Sequence, residues 1–211
     1  MQIALVLFDR FTALDVVGPY EMLSRTPGAE TVLVAERPGP VRNDSGSLSL
    51  VADRTLTEVP APDVVIVPGG PGQSGQMDNA ALLDWLRSTD ATSAWTTSVC
   101  SGSLLLAAAG LLTGRRATSH WLALDSLRTY GAEPTDERVV VDGKYVTAAG
   151  VSSGIDMGLT LLGRIAGDEH ARTVQLLTEY DPEPPYDSGS PRKAPAALVE
   201  RWRADSRFIL T

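Results

Sequence analysis

Cys100 is the only cysteine among the 211 residues, and its surroundings are those of a reactive thiol. It lies in the stretch Thr96 to Leu112, TTSVCSGSLLLAAAGLL, which predicts a short strand, a turn of small residues and an Ala/Leu-rich helix. Such a turn places the side chain on an exposed corner at a helix N-terminus, where unpaired N–H groups and the helix dipole favour the thiolate. Nucleophile-elbow enzymes use the same geometry. A lone cysteine can equally be a small buried hydrophobic residue.

Asp15 is the acidic residue best placed to exchange protons with this thiol. It follows the apolar run Ile3 to Phe8, the first predicted strand, and directly precedes the helix-forming segment VVGPYEMLSR. That position predicts a helix N-cap, which by itself is a structural role at the surface. Its place at a strand end beside the cysteine corner makes a catalytic role an equal alternative. Glu21, further along the same helix, is the competing carboxylate.

The loop Gly69 to Gly72, GGPG, follows the apolar segment PDVVIV and carries the next candidates. Gly70 is expected to bring a backbone N–H close to Cys100. The N–H of Ser101 would complete a pair of donors for developing negative charge. The alternative is an ordinary tight turn. The phosphate-binding pattern GxxxxGK[ST] does not occur in the sequence.

Only two histidines are present, which limits catalysis by a cysteine–histidine pair. His120 stands between Ser119 and Trp121 and is interpreted as a packed, hydrogen-bonded residue that could support the site from behind. His170, in GDEHART, is predicted to be solvated at the start of a helix. No group of His, Cys and Asp has the spacing of metal ligands, so no metal is expected.

Charge and hydropathy exclude several other classes of function. The net charge of −8 argues against a nucleic-acid partner, because phosphate binding needs a basic face. No apolar run approaches the ~20 residues that span a bilayer. The first residues, MQIALVLFDR, resemble a strand and not a signal peptide. A single cysteine fits a reducing compartment, so the cytoplasm is the expected location.

Apolar runs and helical segments alternate along the chain, which predicts a doubly wound α/β fold. The expected sheet is mostly parallel with helices on both faces, and Asp142–Gly143 marks one added β-hairpin. Later helices are predicted over LALDSLRTYG, VSSGIDMGLTLLGRIAG, DEHARTVQLLTEY and Ala194 to Arg207. No linker or repeat interrupts the pattern, so residues 1–211 are expected to form one domain. Ligands of such sheets bind beyond the carboxyl ends of the strands.

Four motifs together resemble the ThiJ/PfpI superfamily, whose members are related to the class I glutamine amidotransferases. These motifs are LDVVGPYEML, VIVPGGPG, VCSGSLLLAAAGLLTGRRATSHW and AAGVSSGIDMGL. They occur in order over essentially the whole chain. The resemblance implies a flavodoxin-like, amidotransferase-like fold, and relatives are typically homodimers.

Within that superfamily, the tail EYDPEPPYDSGSP resembles the isonitrile hydratase group. The resemblance implies addition of water to an isocyanide to give an N-substituted formamide, without a metal or organic cofactor. Cys100 matches the nucleophile of the group and Asp15 its catalytic aspartate. Ser101 stands where the group commonly has threonine. The implied mechanism is attack by the Cys100 thiolate on the isocyanide carbon, with Asp15 as a proton donor whose pKa is raised by partial burial.

Other members of the superfamily supply the alternatives. Peptidases of this type carry histidine directly after the cysteine, where this chain has Ser101, and DEHART does not match the late histidine–acid pair of the amidotransferases. Deglycase or glyoxalase-like relatives use a glutamate, which would transfer the acid–base role to Glu21. A domain that binds a small molecule or senses oxidation through Cys100 is the alternative outside enzymes.

Overall fold

Eleven strands and six α-helices make up the computed structural model, which describes residues 1–206. The strands are β1 (Gln2–Val6), β2 (Glu30–Ala35), β3 (Gly39–Arg42), β4 (Ser49–Ala52), β5 (Arg54–Thr55), β6 (Val64–Val67), β7 (Trp95–Val99), β8 (Arg116–Ala117), β9 (Glu133–Pro134), β10 (Val139–Asp142) and β11 (Tyr145–Ala148). The helices are α1 (Ala13–Leu23), α2 (Ala80–Asp90), α3 (Gly102–Ala108), α4 (Ser153–Ala166), α5 (Asp168–Leu177) and α6 (Ala196–Ala204). Three 3-10 segments cover Leu56–Glu58, Pro71–Gln76 and Leu124–Tyr130.

The central sheet has seven strands in the order β10-β11-β7-β6-β1-β2-β5. All neighbours are parallel except β10, which pairs antiparallel with β11 at one edge. Continuous apolar strands such as β6, with the sequence VVIV and every residue buried, are those expected of a sheet covered on both faces. The prediction of a mostly parallel α/β sheet is confirmed.

The strand order reverses between β1 and β6. From β1 the chain moves outward to β2, and it then returns to place β6 and β7 on the other side of β1. Because crossovers between parallel strands are right-handed, α1 and α2 cover opposite faces of the sheet. The carboxyl ends of β1, β6 and β7 lie side by side at this reversal, the position where such sheets bind ligands.

The predicted hairpin forms and extends the central sheet. Asp142 pairs with Tyr145, so the two-residue loop is Gly143–Lys144, one position later than predicted. Gly143 has φ 61°, a conformation that suits glycine. A second hairpin, β3 with β4, forms a separate two-stranded sheet and precedes β5 in the chain.

Three local predictions are corrected by the structure. Helix α1 begins at Ala13 with Thr12 as its N-cap, so Asp15 lies within the first turn and the N-cap interpretation is wrong. The predicted helix LALDSLRTYG is a 3-10 segment, Leu124–Tyr130, which ends at Gly131 with φ 77°. The last helix is shorter than predicted, and its predicted end at Arg207 lies outside the described residues.

Helix α1, which carries Asp15, packs against α4 through glycines. A Cβ built on Gly158 of α4 would lie 2.8 Å from Met22 Cβ and 3.3 Å from Pro19 Cα. On α1, a Cβ built on Gly18 would lie 3.1 Å from Ile155 Cγ1. The close approach of the two helices therefore depends on these positions having no side chain. Within residues 1–206, none of the helices combines the length and apolar character needed to cross a membrane.

We expect Gly158→Ala to lower the free energy of unfolding by about 1–3 kcal/mol, since the added methyl group meets the stem of Met22. Gly163→Ala is the matched control in the same helix. Its Cβ would lie 3.1 Å from Asp168 Oδ1, at the end of a flexible side chain, and 3.7 Å from Ala171 Cβ, which is an ordinary contact; alanine also favours the helix. Urea denaturation measures both variants. Equal stability of the two would contradict the packing argument.

Candidate active site

Cys100 occupies a strained corner between β7 and α3. Its φ of 59° is in the left-handed region, which residues other than glycine rarely adopt, and such a conformation is typical of a nucleophile elbow. Hydrogen bonds fix the corner: the hydroxyl groups of Ser103 and Ser119 donate to the Cys100 carbonyl at 3.2 and 3.1 Å. The Cys100 N–H donates to the Ala148 carbonyl of β11 at 3.0 Å. The corner predicted from the sequence is therefore present.

The corner is buried and not exposed as expected. Cys100 has 1% of its surface accessible. Burial raises the pKa of the thiol well above its usual range, and the nearby Asp15 carboxyl raises it further. The N–H groups of Ser101 and Val151 act on the sulfur in the opposite direction but do not outweigh the loss of solvent. The expectation that the helix N-terminus would favour the thiolate is wrong for this closed site, because desolvation is the larger effect.

Asp15 is fully buried and lies against the Cys100 side chain. The Gly69 N–H donates to its Oδ2 at 2.8 Å. The other oxygen, Oδ1, has no hydrogen-bond partner within residues 1–206. Burial raises the pKa of Asp15 to about 8, against the smaller lowering effects of the Gly69 N–H and Cys100. At neutral pH the pair therefore consists of a thiol and a carboxylic acid with one uncommitted oxygen.

The GGPG loop contacts both Asp15 and Cys100 through Gly69. A Cβ built on Gly69 would lie 2.5 Å from the Ser101 nitrogen and 3.0 Å from Cys100 Cβ, so only glycine fits there. The Gly69 carbonyl accepts from the Thr12 N–H at 2.9 Å, which fixes the start of α1. The loop thus connects the end of β6 to both the helix with Asp15 and the cysteine corner.

Gly70 and Ser101 lie together, as the sequence suggested, but they bind each other. The Gly70 N–H donates to Ser101 Oγ at 3.2 Å. Ser101 is fully buried, and its own N–H points at the Cys100 sulfur. Gly69, one position earlier, supplies the N–H that reaches the catalytic carboxyl candidate. The sequence Gly69-Gly70 does not indicate which of the two backbone N–H groups faces Asp15.

His120 borders the site and is neutral. Burial lowers its pKa to about 4. Its Nδ1 accepts from the Leu122 N–H at 3.3 Å, and its ring packs on Gly150, where a Cβ would lie 2.7 Å from His120 Cδ2. Gly150 precedes Val151, whose N–H contacts the sulfur, so His120 supports that segment. This agrees with its interpretation as a packed histidine.

The remaining candidates lie elsewhere. The Glu21 carboxylate is half-exposed and forms an ion pair with Arg25 at 2.6 Å. Glu21 follows Asp15 by six residues, which places it on a different side of α1. His170 is partly exposed, and its Nε2 lies 2.8 Å from the Arg25 carbonyl oxygen. Within residues 1–206, no group of His, Cys, Asp and Glu is arranged to hold a metal ion.

Sequence reasoning missed three residues that complete the site. Val151 and Ser119 act through a backbone N–H and a hydroxyl, respectively, for which no local pattern exists. Asp44 comes from the loop between β3 and β4 and accepts from Thr12 Oγ1 at 2.9 Å. Its negative charge contributes to the raised pKa of Asp15. The sequence Asn43-Asp44-Ser45-Gly46 is typical of a turn, but it carries no information that this turn lies beside α1.

Comparison with known proteins finds relatives that match two thirds of the chain or more. The chain is 45% identical to the isonitrile hydratase of Pseudomonas putida over 203 residues, which cover 96% of the chain and 89% of that protein. It is 34% identical to the transcriptional regulator CdhR of Pseudomonas aeruginosa over 144 residues, 67% of the chain but 42% of the regulator.

Among solved structures, a ThiJ/PfpI family protein from Pseudomonas syringae superposes with a TM-score of 0.94 at 39% identity. The match covers 96% of the chain and 84% of that structure. The sequence model of the DJ-1/PfpI family matches residues 1–164, which include the cysteine corner, the GGPG loop and Asp15. The resemblance seen in the four motifs is thereby confirmed, and the chain belongs to the DJ-1/PfpI family.

Proposed function

We propose that this protein is an isonitrile hydratase, which adds water to an isocyanide R–N≡C and releases the formamide R–NH–CHO without a metal or organic cofactor. The observation that carries the proposal is the Asp15 carboxyl: buried, with a pKa of about 8, one free oxygen and Cys100 beside it. The 45% identity to the Pseudomonas putida isonitrile hydratase supports the same reaction.

The first step joins sulfur to the isocyanide carbon. That carbon carries a lone pair and is also open to nucleophiles, so it can receive both the sulfur and a proton. The Cys100 sulfur attacks the carbon, Asp15 delivers its proton to the carbon, and the thiol proton passes to Asp15. The product is the thioimidate R–N=CH–S–Cys, and Asp15 is again a neutral acid. A preformed thiolate is not required, which fits the raised pKa of the Cys100 thiol.

The second step brings in water. Asp15 transfers a proton to the thioimidate nitrogen as it accepts one from water, and the oxygen adds to the carbon. The resulting R–NH–CH(OH)–S–Cys loses the C–S bond, and its hydroxyl proton moves through Asp15 to the departing sulfur. The N–H groups of Ser101 and Val151 stabilise negative charge on that sulfur. The formamide leaves, and both Cys100 and Asp15 return to their starting protonation states.

The burial of Cys100 argues against the alternative of a peroxide-sensing thiol. Oxidation of cysteine follows thiolate character and exposure. Cys100 has 1% of its surface accessible, and its pKa is raised, so both conditions are unfavourable. The deglycase-like alternative needs a glutamate at the thiol, and Glu21 instead pairs with Arg25. A cytoplasmic location, a homodimer and one domain over residues 1–211 stay predictions.

We expect Cys100→Ala to abolish formamide production, a loss of about a thousandfold or more, because no other thiol can form the thioimidate. Intact-protein mass spectrometry after rapid acid quench should show the added mass of one isocyanide on the wild-type chain and none on the variant. Formamide formation by the variant at a comparable rate would refute the covalent mechanism.

The pH profile tests the neutral carboxyl. The reaction needs protonated Asp15, so kcat/KM should be level from about pH 6 to 7.5 and fall as pH rises through the pKa of about 8. Asp15→Asn should lose most of the activity, whereas the matched carboxylate variant Glu21→Gln should keep it. Steady-state assays of formamide release from pH 6 to 9.5 measure both. An Asp15→Asn variant with near-normal rates would transfer the acid–base role to another group.

The same carboxyl predicts a pH-dependent stability. Folded Asp15 stays protonated up to about pH 8, whereas it ionises near pH 3.8 in the unfolded chain. Between these values unfolding releases a proton, and each pH unit lowers the free energy of unfolding by about 1.4 kcal/mol. Asp15→Asn lacks this contribution, so its stability relative to the wild type should increase steadily from pH 5 to 7.5. Urea titrations measure it, with Glu21→Gln as a control; parallel curves would show that Asp15 is ionised in the fold.

A further inference from the structure

Two neighbouring cavities lie on the side of the molecule where α6 packs. The inner cavity has a volume of about 250 Å³. It is lined by Thr12, Pro71, Leu122, Val151 and Trp202, together with the polar residues Asp44, Asp205 and Ser206. The outer cavity has a volume of about 310 Å³ and a mainly apolar lining. Its apolar side chains include Trp121, Leu122, Pro191, Leu198, Val199 and Trp202.

The inner cavity is lined by residues that lie next to the Cys100–Asp15 pair. Three of its lining residues are direct neighbours of the site. Val151 supplies an N–H to the Cys100 sulfur. Thr12 is the N-cap of the helix that carries Asp15, and Pro71 follows Gly70 of the GGPG loop. The substituent of an isocyanide whose carbon meets the sulfur would extend into this space.

Leu122 and Trp202 line both cavities, so they form the boundary between them. Leu122 belongs to the segment after His120, and its N–H is bound to that ring. Trp202 belongs to α6, which buries Val199, and Arg203 of the same helix lies 5.9 Å from the centre of the Trp121 ring. Trp202 is 51% exposed, so part of this residue faces solvent while another part lines the two cavities.

We infer that Trp202 sets the size of the isocyanide substituent that the enzyme accepts, an inference that rests on the proposed hydratase function. Its indole ring ends the inner cavity, and substituents that exceed this space are excluded by contact with the ring. Removal of the ring joins the inner cavity to the outer one, whose apolar walls suit a long or polycyclic hydrocarbon group. Trp202 is thus a specificity-determining residue and takes no part in the proton transfers.

The test compares a small substrate, isopropyl isocyanide, with a large one, 2-naphthyl isocyanide. Trp202→Ala should raise the ratio of kcat/KM for the large over the small substrate by about tenfold or more, the effect of a changed apolar pocket. Trp202→Phe should give an intermediate ratio. Tyr186→Ala is the matched control: it removes an aromatic ring that is 80% exposed, lies in the same part of the chain and lines neither cavity.

Leu198→Ala adds a second control, since Leu198 lines only the outer of the two cavities. As a single substitution, Leu198→Ala should leave the ratio of kcat/KM for the large over the small substrate unchanged. Combined with Trp202→Ala, it should raise this ratio above that of Trp202→Ala alone. A ratio that stays within twofold of the wild type in a folded Trp202→Ala variant would overturn the inference.

A second readout separates this inference from the proposed function. Iodoacetamide and N-(2-naphthyl)iodoacetamide alkylate thiols by displacing iodide, so their relative rates at Cys100 report access without any isocyanide. Trp202→Ala should speed alkylation by the naphthyl reagent selectively. If no isocyanide is hydrated but this selectivity changes, the hydratase proposal fails and the boundary role stands. If isocyanides are hydrated and neither ratio changes, only the role of Trp202 fails.

Discussion

The contact between a buried carboxyl and a buried thiol is the constraint around which this structure is arranged. Burial raises the free energy of the ionised forms of both Asp15 and Cys100, and a negative charge on either group would oppose ionisation of the other. Three adjacent parallel strands, β1, β6 and β7, deliver the two groups and the GGPG loop to one end of the sheet. The fold therefore holds two acids in their neutral forms at a pH where one of them would be charged in water.

Neutrality suits a reaction that adds a thiol and then water without expelling a charged group. Peptide hydrolysis must protonate a departing amine, and an imidazolium beside the cysteine commonly supplies that proton. Here the nearest histidine, His120, is neutral with a pKa of about 4 and packs on Gly150. Asp15 can shuttle protons between sulfur, carbon, nitrogen and oxygen because one carboxyl oxygen remains uncommitted. The site thus matches proton exchange among neutral species.

The fold and the cysteine corner were predictable because their signals are local. Buried parallel strands are continuous apolar runs, and a strand, small residues and a helix in succession define the turn at Cys100. The burial of that corner was not predictable, since it involves residues far along the chain such as Ser119 and Val151. Asp15 was interpreted as an N-cap by a local rule, but its carboxyl found a tertiary partner in the Gly69 N–H. Long-range contacts overrode the local preference at the position where function was expected.

The helical segments and the loops also combine predictable and unpredictable features. A helical segment forms within LALDSLRTYG as predicted, but it is a 3-10 segment. The spacing of apolar residues does not separate a short α-helix from a 3-10 segment. The sequence likewise does not determine which backbone N–H group of a loop faces the site. Gly70 was expected to face the reacting atoms, and the structure gives its N–H to Ser101 Oγ.

The crowded glycines around the site have a consequence for the genetics of this protein. A Cβ on Gly72 would meet the Asp9 carbonyl at 1.8 Å, and one on Gly102 would meet the Val67 carbonyl at 2.2 Å. Neither glycine has a side chain with which to assist a reaction. In a saturation screen scored by growth or turnover, both would nevertheless rank with Cys100 and Asp15 as intolerant positions. Intolerance to substitution at the carboxyl end of this sheet is therefore caused by backbone crowding as well as by participation in the reaction.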